Sequence, residues 1–162
     1  MSKAVGQIGH MKSNLGKKEF KRRLTELTSP EKHFNILTSY NLSGTPFCGR
    51  FNDSTFELTR NSFWRHVKSI TIQGQFKELD QNYTEVTYKV GIRPFEKKAL
   101  RVFIILAFLG INSILVFTQI NLGLTITLNG LLISFVLFAM GINWVTTRLI
   151  DQRFRQEFNI EN

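Results

Sequence analysis

The chain has 162 residues, 21 Lys/Arg against 12 Asp/Glu, a net charge of +9 and a single cysteine, Cys48. One cysteine excludes an internal disulfide, and a pI near 10 points to an anionic partner, either nucleic acid or an anionic membrane face. The charge is unevenly placed: residues 1–33 carry eight Lys/Arg and three Asp/Glu, residues 34–98 nine and six, and the 46 residues from Val102 to Thr147 carry none and no His.

Residues 1–28 read as a basic, disordered arm. The opening MSKAVGQIGHMKSNLGKKEF has no apolar run of the kind a cleavable secretory signal needs. Its basic stretch, Lys12–Arg23, suits nucleic-acid phosphates or anionic headgroups, at about 1 kcal/mol per cation near the surface. The headgroup reading is preferred because the chain reaches a membrane further on. The aromatics that would stack single-stranded bases are not evident, so nucleic acid is disfavoured.

Residues 29–98 read as a small α+β domain. Ser29, Pro30 and Glu31 have the N-cap, N1 and N2 chemistry of a short helix through about Ser39, with Phe34 and Leu37 as its apolar side. From residue 46 the period changes to two. Phe47, Gly49 and Phe51 share one face, then Phe56 and Leu58, then Ile70, Ile72, Gly74 and Phe76, then Val86, Tyr88, Val90 and Ile92. Asn52-Asp53-Ser54 and Asp80-Gln81-Asn82 supply turns. The pattern predicts an antiparallel β-meander of about four strands with one dry face. Gly74 inside a strand marks a bulge or a close backbone approach, and Cys48 reads as a half-buried strand residue. Pro94 ends the last strand, leaving almost no linker before the neutral run, so the domain is expected to sit against the membrane.

Residues 99–147 read as a two-helix transmembrane hairpin. About 20 apolar residues span the hydrocarbon once. The neutral run therefore fits two spans, about 102–118 and 124–146, joined by a tip holding Gln119, Asn121 and Gly123. Arg93, Lys97, Lys98 and Arg101 precede the first span, and Arg148, Arg153 and Arg155 follow the second. An excess of Lys/Arg marks the cytoplasmic side, so the chain reads as an integral membrane protein with both termini cytoplasmic, in the inner or plasma membrane if bacterial; Trp144 fits the interface. Arg93, Lys97, Lys98 and Arg101 are the candidate headgroup contacts, although topology alone would also account for them. Asn112 and Asn129 stand at equal depth, about 13 Å from the turn along each helix. They form a candidate interhelical polar pair, because an amide in hydrocarbon is costly alone. Gly110, Gly130 and Ser134, with Ala107, are candidate helix-packing positions.

Residues 148–162 read as a helical tail continuing the second span. Ile150, Phe154 and Phe158 form an i, i+4, i+8 stripe suited to covering the sheet, and Asp151 with Arg155 forms an i, i+4 pair. The fold class expected is therefore membrane α+β: a small antiparallel meander, a transmembrane hairpin and a short helical extension.

Phe47-x-Gly49-x-Phe51, Phe56-x-Leu58, Arg60–Phe63, Ile72-x-Gly74-x-Phe76 and Thr84-x-Val86-x-Tyr88, running into a hairpin, resemble small uncharacterised bacterial membrane proteins with two spans. That resemblance covers about residues 30–160. It implies a short cytoplasmic β domain before a hairpin and a charged C-terminal helix, and it implies no activity. A proline expected soon after Asn61-Ser62-Phe63 is absent.

No nucleotide, metalloprotease or hydrolase motif occurs, and His10, His33 and His66 lack partners at metal-ligand spacing. No catalytic, cofactor or metal residue is assigned. The expected function is a non-enzymatic, membrane-anchored cytoplasmic module that contacts anionic lipid or a protein partner. The rival is a subunit of an oligomeric channel or transporter complex, with Asn112, Asn129 and Gly130 at the intersubunit interface.

Overall fold

A computed structural model describes residues 9–30, 44–61, 70–117 and 121–161. The chain divides into two compact units. One holds the residues up to Ile92 together with those from Thr146 onward, and the other is Arg93–Val145.

The first unit is a curled, mixed sheet of seven strands with helix on one face. In chain order the strands are β1 (Gly9–Ser13), β2 (Thr28–Pro30), β3 (Phe47–Phe51), β4 (Thr55–Arg60), β5 (Ile70–Asp80), β6 (Tyr83–Ile92) and β7 (Ile160–Glu161); helix α1 (Lys17–Leu27) lies between β1 and β2. The spatial order is β2-β3-β4-β5-β6-β1-β7. The meander read from the alternation is its centre, β3 to β6, paired antiparallel in sequence order.

Three strands outside that centre change the architecture. β2 runs parallel to β3, while β1 pairs antiparallel with β6 and with β7. The sheet is therefore mixed, not a four-strand antiparallel meander. The disordered arm is corrected as well: residues 9–28 form β1, α1 and the first residue of β2. The physical reason is a narrow stripe. Phe20 and Leu24, at i and i+4, are fully buried with Leu15 beside them, which suffices for an otherwise charged helix once a sheet lies beneath it. Ser29 and Pro30 belong to β2 and do not open a helix. The rest of the short helix expected through Ser39 lies outside the described residues.

Packing follows the period-two pattern. Gly49 faces Leu58, Phe56 faces Gly74, Leu58 faces Ile72, and Ile72 faces Val90 across the ladders, so one dry face runs over the central strands. Gly74 serves close approach: a Cβ there would sit 2.6 Å from the Tyr88 Cβ and 2.7 Å from the Phe56 ring. The β5–β6 register shift falls elsewhere, between Glu78 and Asp80. Gly49 has φ +156°, and a Cβ there would lie 2.1 Å from the Glu57 carbonyl oxygen, so the β3–β4 contact requires glycine.

The dry face is closed by α1 and by the end of helix α3 (Leu122–Glu157). The Phe154 ring lies 5.0 Å from Tyr88, 5.5 Å from Phe56 and 4.8 Å from Phe158, centroid to centroid. Phe20 adds contacts of 5.1 Å to Phe76 and 4.9 Å to Phe158. Past the helix, Asn159 takes φ 46°, a left-handed conformation that reverses the chain. Ile160 and Glu161 then pair with Ser13 and Lys12. Ser13 Oγ donates to the Phe158 carbonyl at 2.6 Å, and Arg23 donates to the Glu157 carbonyl at 2.7 Å, which satisfies carbonyls that the helix end leaves open.

The second unit contains helix α2 (Pro94–Phe117), of 24 residues, and most of α3, of 36. Both are long and apolar enough to cross a membrane. Pro94 is the first helical residue of α2, where its missing N–H costs nothing. Asn121 caps α3, its Oδ1 accepting the Gly123 N–H at 2.7 Å. The second helix thus starts at Leu122, before the position read from sequence.

Candidate functional site

Two features stand apart from ordinary core and surface: the hairpin with its basic base, and an open trough on the wet face of the sheet.

On the hairpin the apolar side chains point outward. Among the described residues, all the exposed large hydrophobics except Leu79 and Leu149 fall between Phe95 and Val145. Two of its polar side chains close on each other. Asn112 Nδ2 donates to the Asn129 Oδ1 and Asn129 Nδ2 donates to the Asn112 Oδ1, both at 3.0 Å. Each amide also donates to its own helix, Asn112 to the Phe108 carbonyl at 2.8 Å and Asn129 to the Thr125 carbonyl at 3.1 Å. The structure thus brings these two residues together in a closed ring, with all four amide N–H donors used. Ser134 Oγ donates to the Gly130 carbonyl at 2.8 Å. Gly110 and Gly130 have open space where a Cβ would point. These small residues therefore do not bring α2 and α3 together; the seam is carried by half-buried Ile104, Ala107, Ile111, Asn129, Leu132 and Val136.

Lys97, Lys98 and Arg101 at the base of α2 are exposed, and no acid among the described residues pairs with them. Arg93 is half-buried. The cations of the stretch from Lys12 to Arg23 differ. Arg22 bridges Glu19 and Glu26, Lys21 pairs with Asp53, Arg23 approaches Glu19 at 3.5 Å, and Lys12 lies 3.3 Å over the Tyr83 ring. The Arg22 bond holds the Glu19 carboxyl below the usual carboxylate range, and Lys21 does the same for Asp53. The stretch Lys12–Arg23, read as a free basic arm, thus has much of its charge neutralised within the fold. The i, i+3 and i, i+4 spacing of Glu19, Arg22, Arg23 and Glu26 was the signal that could have identified it as helix.

The trough occupies about 810 Å³ on the wet face over the Gly74 lane. One wall is an ordered polar row: Arg50 donates to Glu57 at 2.8 Å, and Gln73 donates to the same carboxylate at 3.1 Å. Thr55, Gln75 and Thr87 form the other wall. Its chemistry is hydrogen bonding with paired charge. Cys48 is half-buried on β3, its Sγ 3.0 Å from the Thr59 hydroxyl. Among the described residues no three His, Cys, Asp or Glu side chains gather closely enough to hold a metal ion. His33 and His66 lie outside the described residues.

Where α3 meets the sheet, Tyr88 Oη donates to Asp151 at 2.7 Å and Arg155 donates to the other Asp151 oxygen at 3.0 Å. Burial first, and the bond to Asp151 second, hold the Tyr88 hydroxyl proton well above the ordinary phenol range. Sequence reading found the Asp151–Arg155 pair but not Tyr88, because Tyr88 comes from a strand distant in the chain.

Compared with protein-family models, curated proteins and solved structures, the chain matches none. The resemblance to two-span bacterial proteins therefore rests on its short motifs alone.

Proposed function

We propose that the protein is a membrane-anchored module in which the hairpin crosses the bilayer and returns, carrying the sheet unit on the cytoplasmic side with both termini. The observation that carries this reading is the inversion of α2 and α3. From Phe95 to Val145 their large apolar side chains face outward, the Asn112 and Asn129 amides are bonded to each other, and the Thr127 and Ser134 hydroxyls are bonded to their own backbone. Hydrocarbon favours that arrangement, and water opposes it over so large an area. The cations at the base of α2 favour the cytoplasmic side and are placed for anionic headgroups. The sheet unit exposes Leu79 and Leu149 as its only large hydrophobics among the described residues, so a protein partner would meet a polar surface. The function is taken as anchoring and contact, without catalysis.

A channel or transporter subunit is the second reading. The open faces at Gly110 and Gly130 favour helix contact with another copy. The closed Asn112–Asn129 ring weighs against it, since those donors are already used.

Alkaline carbonate extraction tests the anchor, which is expected to stay in the pellet. A maleimide reporter on Asn121→Cys in a Cys48→Ser background is expected to react only from the face opposite the termini. Release by carbonate, or labelling from the same side as the termini, overturns the proposal.

A further inference from the structure

Helices α2 and α3 leave between them a groove of about 310 Å³ lined by apolar side chains, among them Ile104, Phe108 and Leu109 on one wall and Leu132, Ile133 and Val136 on the other. On α2, Lys97, Arg101, Ile104 and Phe108 fall at i, i+4, i+7 and i+11, and Lys98, Arg101 and Ile105 at i, i+3 and i+7. Residues at those spacings share one stripe of a helix. The exposed cations therefore stand on the same stripe as the groove wall, toward the start of the helix. At 1.5 Å per residue, Arg101 is about 4.5 Å and Lys98 about 9 Å along the axis from the near end of that wall, taken at Ile104. The acid of that first turn, Glu96, is offset from this stripe by its position in the turn.

An apolar slot under a cationic mouth matches the form of an anionic diacyl lipid. We propose that this groove holds one anionic phospholipid, its phosphate on Lys97, Lys98 and Arg101 and one acyl chain between α2 and α3. The proposal rests on the membrane-hairpin reading and sharpens it from general surface attraction to a single site. Charge decides between lipid and a second copy as occupant. A copy inserted with the same topology presents the same three cations at the same depth, whereas a lipid phosphate presents the opposite charge.

The test uses the full chain in bilayers of phosphatidylglycerol or phosphatidylcholine with identical acyl chains, released in mild detergent and weighed by native mass spectrometry. The wild type is expected to keep one phosphatidylglycerol per chain. Each cation contributes about fivefold, so the preference over phosphatidylcholine is on the order of 100-fold. The triple change Lys97→Gln, Lys98→Gln and Arg101→Gln is expected to abolish that preference, and Lys97→Arg with Lys98→Arg to keep it. Leu109→Trp and Val136→Trp, which fill the groove from opposite walls, are expected to lose the retained lipid while the chain still resists carbonate. Equal retention of both lipids by the wild type overturns the site and leaves the anchor standing. So does unchanged retention in both Trp variants, or a lipid-free dimer mass. Carbonate release of the wild type overturns the membrane reading itself.

Discussion

Phenylalanine behaves in opposite ways in the two units. Phe20, Phe47, Phe154 and Phe158 are fully buried in the sheet unit, whereas Phe103, Phe135 and Phe138 on the hairpin are 69%, 68% and 66% exposed. The side chain is the same; the neighbours supplied by the fold differ. In the sheet unit α1 and the end of α3 lie on a dry sheet face, so each ring finds protein. In the hairpin two helices offer each other one narrow seam, and the remaining rings find no protein neighbours there. The units also place polar groups differently. The sheet unit turns charge outward and pairs much of it, and the hairpin turns the Asn112 and Asn129 amides inward and closes them on each other.

The strongest way to break this comparison is Phe154→Ala. Removing a ring at the centre of the aromatic cluster is expected to cost about 3–5 kcal/mol. Limited proteolysis should then cut the sheet unit while the hairpin stays carbonate-resistant. Joint loss of both would show that the units are not independent in stability. Gly49→Ala comes next. The positive φ and the 2.1 Å approach to the Glu57 carbonyl predict a loss of about 1–3 kcal/mol in denaturant titration.

Tyr88→Phe removes a buried bond to a carboxylate and should cost about 1.5–3 kcal/mol. It also carries a pH signature. A raised folded-state pKa means that the stabilising contribution is complete below the unfolded phenol value, about 10, and is lost as pH rises toward the folded value. The wild-type unfolding midpoint should therefore fall at high pH more steeply than that of the variant, and parallel curves would remove the Tyr88–Asp151 bond from the account.

The hairpin answers to a smaller change. Asn112→Leu leaves the Asn129 amide half-satisfied and should cost about 0.6–2 kcal/mol. The double change with Asn129→Leu should recover most of that, since both polar partners are then gone. A double-mutant cycle in detergent reads the coupling, and additive losses would dissolve the ring. The smallest effect is expected at the surface: Lys21→Gln breaks an exposed pair with Asp53 and should leave the unfolding midpoint within scatter.

Four things were legible before the structure because they are local. The alternation over Phe47–Ile92 put Phe56, Leu58, Ile72, Val86 and Tyr88 on one face, and the fixed pleat of a strand allows no other outcome once that face is buried. The unbroken neutrality of Val102–Thr147 marked two long helices, and the stripe Ile150, Phe154 and Phe158 marked the part of α3 that covers the sheet. Equal distance from the turn placed Asn112 opposite Asn129 by helical rise alone. The trough was not legible, because its walls come from strands whose order depends on pairing.

What the sequence determined by itself is therefore periodicity and charge, which act over a few residues: the central strands, the two helices and the depth of the asparagines. Tertiary structure alone decided the rest. Lys12–Arg23 is folded, into the end of β1 and the first part of α1, because a sheet face lies ready for Phe20 and Leu24. The sheet is mixed because β2 adds parallel to β3 at one side of the meander while β1 adds antiparallel to β6 at the other. Tyr88 meets Asp151 because a strand and a helix 63 positions apart in the chain are packed together. Each depends on a contact between segments distant in sequence, and no local pattern encodes the free energy of bringing such segments together.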